Sequence, residues 1–164
     1  MASRHKPAGF GRWRGRLASW PWERILLAAL LVLGALLYVQ NAFRFFMYDD
    51  EGSYAYAAWR TSLGELPYRD FLTPQMPVFL YWGGLVVSLF GRSFVALRLA
   101  TMAAMLLAGG LLYAINRELF GRAVALVALT LFLVDANTFH NARFFRPEAY
   151  MLLFTLAGIY CFAR

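Results

Sequence analysis

Three carboxylates in a row, Asp49, Asp50 and Glu51, sit inside the stretch Tyr48-Asp49-Asp50-Glu51-Gly52-Ser53-Tyr54. They are three of only nine acidic side chains in a chain whose formal net charge is +7. Like charges held this close raise one another's pKa, which is one way to prepare a general base. The plainer reading is an acidic interfacial loop that marks the non-cytoplasmic side of a membrane. Carboxylate clusters also attract Mg²⁺ or Mn²⁺, so a divalent metal is a candidate cofactor, although no spacing here fixes a coordination geometry.

A second polar group, His140-Asn141-Ala142-Arg143-Phe144-Phe145-Arg146-Pro147-Glu148, stands at the mouth of the last apolar run. Pro147 and Glu148 make a good first helical turn, with proline early and an acid at the positive end of the dipole. Glu148 therefore has a structural reason to be where it is. Arg143 and Arg146 are three apart and can face one way, forming an anion site beside Glu148, and guanidinium forks suit phosphate oxygens. The competing reading is an interfacial pair that touches lipid headgroups. His140 has no second histidine nearby and reads first as an interfacial polar residue. The single cysteine, Cys161, lies in an apolar run, and no Cys/His grouping has zinc spacing.

The elements that carry these groups are apolar. Of 164 residues, 61% are hydrophobic and 15% charged, against roughly 25% charged in a soluble domain. The chain reads as an all-α integral membrane protein. Arg4, Lys6, Arg12, Arg14, Arg16 and Arg24 face only Glu23 in the first 24 residues. Basic residues before a span signal a cytoplasmic N-terminus and can touch anionic lipid, a better account of the charge than nucleic acid. The basic region is long and no small-residue cleavage site follows it, so the first apolar run is read as a retained helix. This divides the chain into a cytoplasmic tail, residues 1–24, and a membrane domain, residues 25–164.

Residues 25–43 are 19 uncharged positions, close to the ~30 Å hydrocarbon thickness at 1.5 Å per residue. Residues 44–76 form a first outer loop, with a short amphipathic helix over 51–63 and Gly64 as its C-cap. Residues 77–90 are apolar but too short for a comfortable span, which favours a re-entrant or interfacial helix. A second span follows over 94–116, with Arg98 placed to snorkel toward the interface. Residues 117–122 read as a tight basic turn, and a third span runs from 123 through 134 toward 139. Residues 135–148 are a polar loop, and 149–163 a fourth span. If 77–90 does not cross, the basic turn is cytoplasmic and Glu148 shares a face with Asp50. The expectation is about four transmembrane helices plus interfacial helices in the first outer loop.

Several short motifs recur in a known order. Asp50-Glu51-Gly52-Ser53-Tyr54, Leu66-Pro67-Tyr68-Arg69-Asp70-Phe71, Pro77 with Tyr81-Trp82, Leu89-Phe90-Gly91, Arg98-Leu99 and Arg117-Glu118-Leu119-Phe120-Gly121-Arg122 together resemble the N-terminal part of the GT-C membrane glycosyltransferases. The closest subgroup is the bacterial branch related to protein O-mannosyltransferases, aminoarabinose transferases and rhizobial lipopolysaccharide glycosyltransferases. The resemblance runs from about Arg44 to the end of the chain. It implies inverting transfer of a sugar from a polyprenyl-phosphate donor to a lipid, glycan or protein acceptor on the non-cytoplasmic face of a bacterial plasma membrane. It also implies that Asp50, which opens the Asp-Glu-x-x-Tyr motif, is the general base, assisted by Glu51 and by Glu148 at the outer end of the fourth helix. Arg143 and Arg146 would meet the leaving phosphate, and Tyr54, Arg69 and His140 complete the substrate-binding candidates.

Two departures stand out. Family members often carry a basic residue just before the proline that opens the interfacial helix, where this chain has Pro74-Gln75-Met76-Pro77. The family's chains are also several times longer, so this one is expected to be the N-terminal part of such an enzyme. The alternative is a small non-enzymatic multi-pass protein, a scaffold or partner subunit whose acidic loop only sets topology. A proton-coupled transporter would want ionisable residues near mid-membrane, which the apolar runs lack.

Overall fold

A computed structural model describes residues 21–40, 42–44 and 50–163. The basic tail through Trp20, and Tyr48 and Asp49 of the acidic stretch, lie outside the described residues. Among the described residues seven helices follow in order: α1 (Pro21–Val39), α2 (Glu51–Ser62), α3 (Pro77–Phe90), α4 (Phe94–Phe120), α5 (Arg122–Val134), α6 (Ala136–Ala142) and α7 (Pro147–Ala163). Two of them, α1 and α4, are long and apolar enough to cross a membrane. The pair α5 and α6, bent by 63°, passes the same test as one unit, while α3 and α7 are apolar but shorter. The fold is all-α and membrane-embedded in character, as the composition indicated.

The central helix is α4, which packs against α1, α3, α5, α6 and α7. Its start is set by Ser93, whose hydroxyl accepts from the Ala96 N–H at 3.3 Å. Against its flank, α2 and α3 form a tight pair. The end of α2 matches the expected cap. Gly64, at φ +90°, follows the helix, with its N–H on the Thr61 carbonyl (3.0 Å) and the Glu65 N–H on the Arg60 carbonyl (3.2 Å). This double return closes carbonyls that the helix leaves open.

Some sequence expectations need correction. The first helix begins at Pro21 rather than 25, because proline suits the first turn. Residues 117–120 continue α4, since Arg117, Glu118 and Leu119 are good helix formers. The break falls on Gly121 alone, at φ +87°. The run expected to continue toward 139 instead stops at Asp135, whose side chain accepts from the Thr138 N–H at 2.9 Å and starts α6. A short polar side chain competes with the helix in this way. The Tyr38 hydroxyl then donates to the Leu133 carbonyl at 2.9 Å, near the break. Residues expected to form one polar loop thus contain a helix.

Charged groups tie the start of α1 to the end of α4. Near the start of α1, Glu23 is 1% exposed and accepts from the Tyr113 hydroxyl and the Arg117 guanidinium. Arg122 lies 3.3 Å away. The basic turn therefore sits beside the N-terminal end of α1. Elsewhere the start of α2 meets the segment before α7, as described below.

Close approach in the upper core depends on glycine. A Cβ on Gly83 would come within 2.7 Å of Phe145 Cζ and 2.8 Å of Ala58 Cβ. Ala58 is fixed to the α2 backbone and cannot retreat, so Gly83→Ala is expected to cost about 1–3 kcal/mol by overpacking. Gly110→Ala, with nothing within 4 Å of the new atom, is expected to be neutral or better. Thermal unfolding of both variants in one detergent checks the contrast.

Candidate active site

The site is built where α2, the loop after it and the start of α7 meet. Asp50 occupies the N-cap position of α2, where a carboxylate ordinarily accepts from the first turn of the helix. Here it makes no such bond. Its backbone carbonyl takes the Ser53 hydroxyl (2.8 Å) and the Tyr54 N–H (3.1 Å). Its exposed carboxylate meets the Tyr54 hydroxyl at 3.4 Å and lines an open groove of about 580 Å³.

One wall of the groove is the Asp50, Ser53, Tyr54 and Ala57 face of α2, residues three and four apart as one helical face requires. The other wall is residues 71–75, including Thr73 and Gln75. That wall is held in shape locally. The Asp70 carboxylate accepts the Leu66 N–H at 2.8 Å and both arms of Arg69 at 2.9 Å, which lower its pKa to about 2. Tyr68 adopts a positive φ of 67° and donates its hydroxyl to the Gln75 carbonyl. Arg60 pairs with Glu65 and lies 4.8 Å over the Phe71 ring.

Tyr54 reports how the charges converge. Burial pushes its hydroxyl pKa up, the charges of Asp50 and Glu148 push it further, and Arg146 opposes them. The charges of the two carboxylates and of Arg146 are thus all felt at one hydroxyl. Arg146 grips Glu148 with two bonds, 3.2 and 2.7 Å, and its third nitrogen lies 3.3 Å from His140 Nε2.

Glu51 has a different place. It is 1% exposed, and its oxygens take Arg98 Nε at 2.7 Å, Arg98 Nη2 at 2.5 Å and the Phe145 N–H at 2.9 Å. Arg98 is 2% exposed, so its guanidinium points inward and does not snorkel. Beneath this pair Phe79 and Phe145 stack at 4.5 Å, with Tyr54 at 5.7 Å and Tyr150 at 5.4 Å from Phe79. The ion pair and the stack lock α2, α3, α4 and the start of α7 together, which fixes where Asp50 and Glu148 stand.

The remaining candidates separate. Arg143 does not join Arg146 beside Glu148. It lies 4.4 Å over the Phe139 ring, and burial together with the Arg44 charge lowers its pKa. Arg69 is exposed, bound to Asp70, and does not line the groove. Sequence reasoning missed Arg98 as the partner of Glu51, although a lone charge early in an apolar helix signals a buried partner. It also missed the wall at 71–75. Among the described residues no group of three or more His, Cys, Asp or Glu side chains is arranged to hold a metal ion.

The model of the dolichyl-phosphate-mannose-protein mannosyltransferase family matches residues 73–164, more than half of the chain. The match starts in the groove wall and takes in Arg98, Arg146 and Glu148, while Asp50 lies before it. No curated protein and no solved structure matches. The family match agrees with the apolar helices and with the order of motifs along the sequence: the chain belongs to the dolichyl-phosphate-mannose-protein mannosyltransferase family of membrane glycosyltransferases.

Proposed function

We propose that the protein transfers a sugar from a polyprenyl-phosphate donor to an acceptor hydroxyl, with inversion, in the groove beside α2. The observation that carries this reading is the Asp50 carboxylate. It stands at a helix start, makes no cap bond, and opens into the groove. A hydroxyl that attacks an anomeric carbon must lose its proton as it does so, and a carboxylate within about 3 Å takes it. Asp50 is that base. Tyr54 orients it through the hydroxyl contact, and Glu148 with Arg146 sets the charge on the far side. The leaving phosphate gains negative charge and is met by a guanidinium. Arg146 is the nearer candidate, while Arg143 approaches from the Phe139 side.

Gln75 lines the groove at the position where the family resemblance leads one to expect a basic residue. A neutral amide there leaves the donor phosphate to the arginines. Glu51 supports the site by holding the start of α2. We assign the groove to the non-cytoplasmic face of a bacterial plasma membrane, with four spans formed by α1, α4, α5–α6 and α7 and the N-terminus in the cytoplasm. The protein in reconstituted vesicles, given a labelled polyprenyl-phosphate sugar and candidate acceptors, is expected to form labelled product and free polyprenyl phosphate together. Product formation that survives Arg146→Gln unchanged would remove Arg146 from the phosphate role.

A further inference from the structure

The flank of α2 turned away from Asp50 carries a feature that the transfer reaction does not use. Positions 50, 53, 54 and 57 face the candidate active site, so positions 52, 55 and 59 face the other way. Gly52, Ala55 and Trp59 line a narrow cleft of about 220 Å³, closed by Val87 of α3 and Leu97 of α4. At Arg92, Ser93 and Phe94 this cleft runs into a wider groove of about 540 Å³. Arg44 and Arg92 line the wider groove together with Arg98, whose guanidinium is already held by Glu51, and among the described residues its lining includes no acidic side chain.

Two compartments of opposite character are thus joined. The Arg92 guanidinium lies 3.9 Å over the Trp59 ring, and this cation–π contact fixes it at their boundary. Arg98 Nη1 donates to the Arg44 carbonyl at 2.7 Å, tying the Arg44 backbone to α4. Phe43 in the groove lining is 67% exposed, as are Leu89 and Phe90, which end α3 just before Arg92 in the chain, and apolar side chains exposed like this suit the edge of a bilayer. A free phosphate would need no apolar cleft, and a hydrocarbon alone would need no arginines. An anionic head with an attached acyl chain uses both.

We propose that the basic groove and its apolar cleft bind one anionic phospholipid, its phosphate between Arg44 and Arg92 and an acyl chain along Trp59 toward Leu97. The sugar donor is the wrong occupant on geometric grounds. The cleft and the Asp50 groove share only Tyr56 among their lining residues. A donor seated here would hold its anomeric carbon on the far side of α2 from the base. The bound lipid would brace the α2–α3–α4 corner from outside, opposite the groove.

The test is native mass spectrometry of the delipidated protein, titrated with phosphatidylglycerol and, separately, with phosphatidylcholine. The expected result is one retained phosphatidylglycerol, bound at least tenfold more tightly than phosphatidylcholine. Arg44→Gln with Arg92→Gln should remove that preference, a loss on the order of tenfold or more for two basic contacts. Arg44→Lys with Arg92→Lys should keep most of it. Equal retention by wild type and the glutamine variant overturns the proposal. So does displacement by inorganic phosphate at the lipid's own concentration, which would indicate a free-phosphate site. One-for-one displacement by a polyprenyl phosphate also overturns it, in favour of the donor. Should the glutamine variant fail to fold, phosphatidylglycerol with brominated chains supplies a second readout. Tryptophan quenching that saturates at one lipid per chain should vanish in Trp59→Phe, and its persistence there overturns the site. Lipid retention is read without sugar transfer, so failure here and failure of the transferase assignment are separate results.

Discussion

Asp50→Asn is expected to lower sugar transfer by about 10²–10⁴-fold, the range that a positioned general base contributes. The substitution removes the proton acceptor and little else. Asparagine keeps the size of the side chain and an oxygen for the Tyr54 hydroxyl. Because the carboxylate makes no cap bond to α2, the helix start should be unaffected. Stability is therefore expected to change by no more than about 0.5 kcal/mol, as for other surface positions. Donor affinity should also hold, since Asp50 acts on the acceptor hydroxyl. The signature is a fall in kcat with unchanged melting and unchanged donor binding, measured in the same vesicles. A parallel fall in melting temperature would instead assign Asp50 a structural role.

The opposite signature is expected of Glu51 and Arg98. Removing one member of a buried, hydrogen-bonded ion pair leaves the other uncompensated and costs about 3–5 kcal/mol. Arg98→Met strands the Glu51 carboxylate, which is 1% exposed. Glu51→Gln keeps an acceptor for the Phe145 N–H but strands the guanidinium. Replacing both, Glu51→Met with Arg98→Met, removes both charges and should recover part of the loss. It cannot recover all of it, because the Phe145 N–H, bonded to Glu51 at 2.9 Å, then lacks an acceptor at about 1–3 kcal/mol. Thermal unfolding of the two singles and the double gives the coupling between the sites. A double variant less stable than the sum of the singles would contradict this account of the pair. Transfer should fall in both singles as well, because the same pair joins the start of α2 to the start of α7.

These two residues show what the sequence makes legible. Local signals read well. Gly64 closes α2, Pro77 opens α3, and Pro147 with Glu148 opens α7, each through chemistry confined to a few neighbours. Adjacent residues with different fates did not. Asp50 and Glu51 differ by one position, about 100° around a helix, and only packing turns one into the groove and the other into the core. Arg98 read as a snorkelling side chain because its partner lies 47 residues away. Arg143 and Arg146 suit a common face in an unbroken helix, but both lie in the connection between the end of α6 at Ala142 and the start of α7 at Pro147, which sends them to different neighbours. Asp135 likewise broke a run that hydropathy alone would continue, because a side-chain cap competed with the backbone.

The most direct test of the central claim is a paired transfer assay with a labelled polyprenyl-phosphate sugar, comparing vesicles holding the wild-type protein with vesicles holding Asp50→Asn. Labelled acceptor and free polyprenyl phosphate are expected from the wild type at equal rates. Both should fall at least 100-fold in the variant, with protein level and melting unchanged. Equal transfer by the two proteins would contradict Asp50 as the base. Absence of product from the wild type across lipid, glycan and protein acceptors would contradict the assignment of transferase activity to this chain.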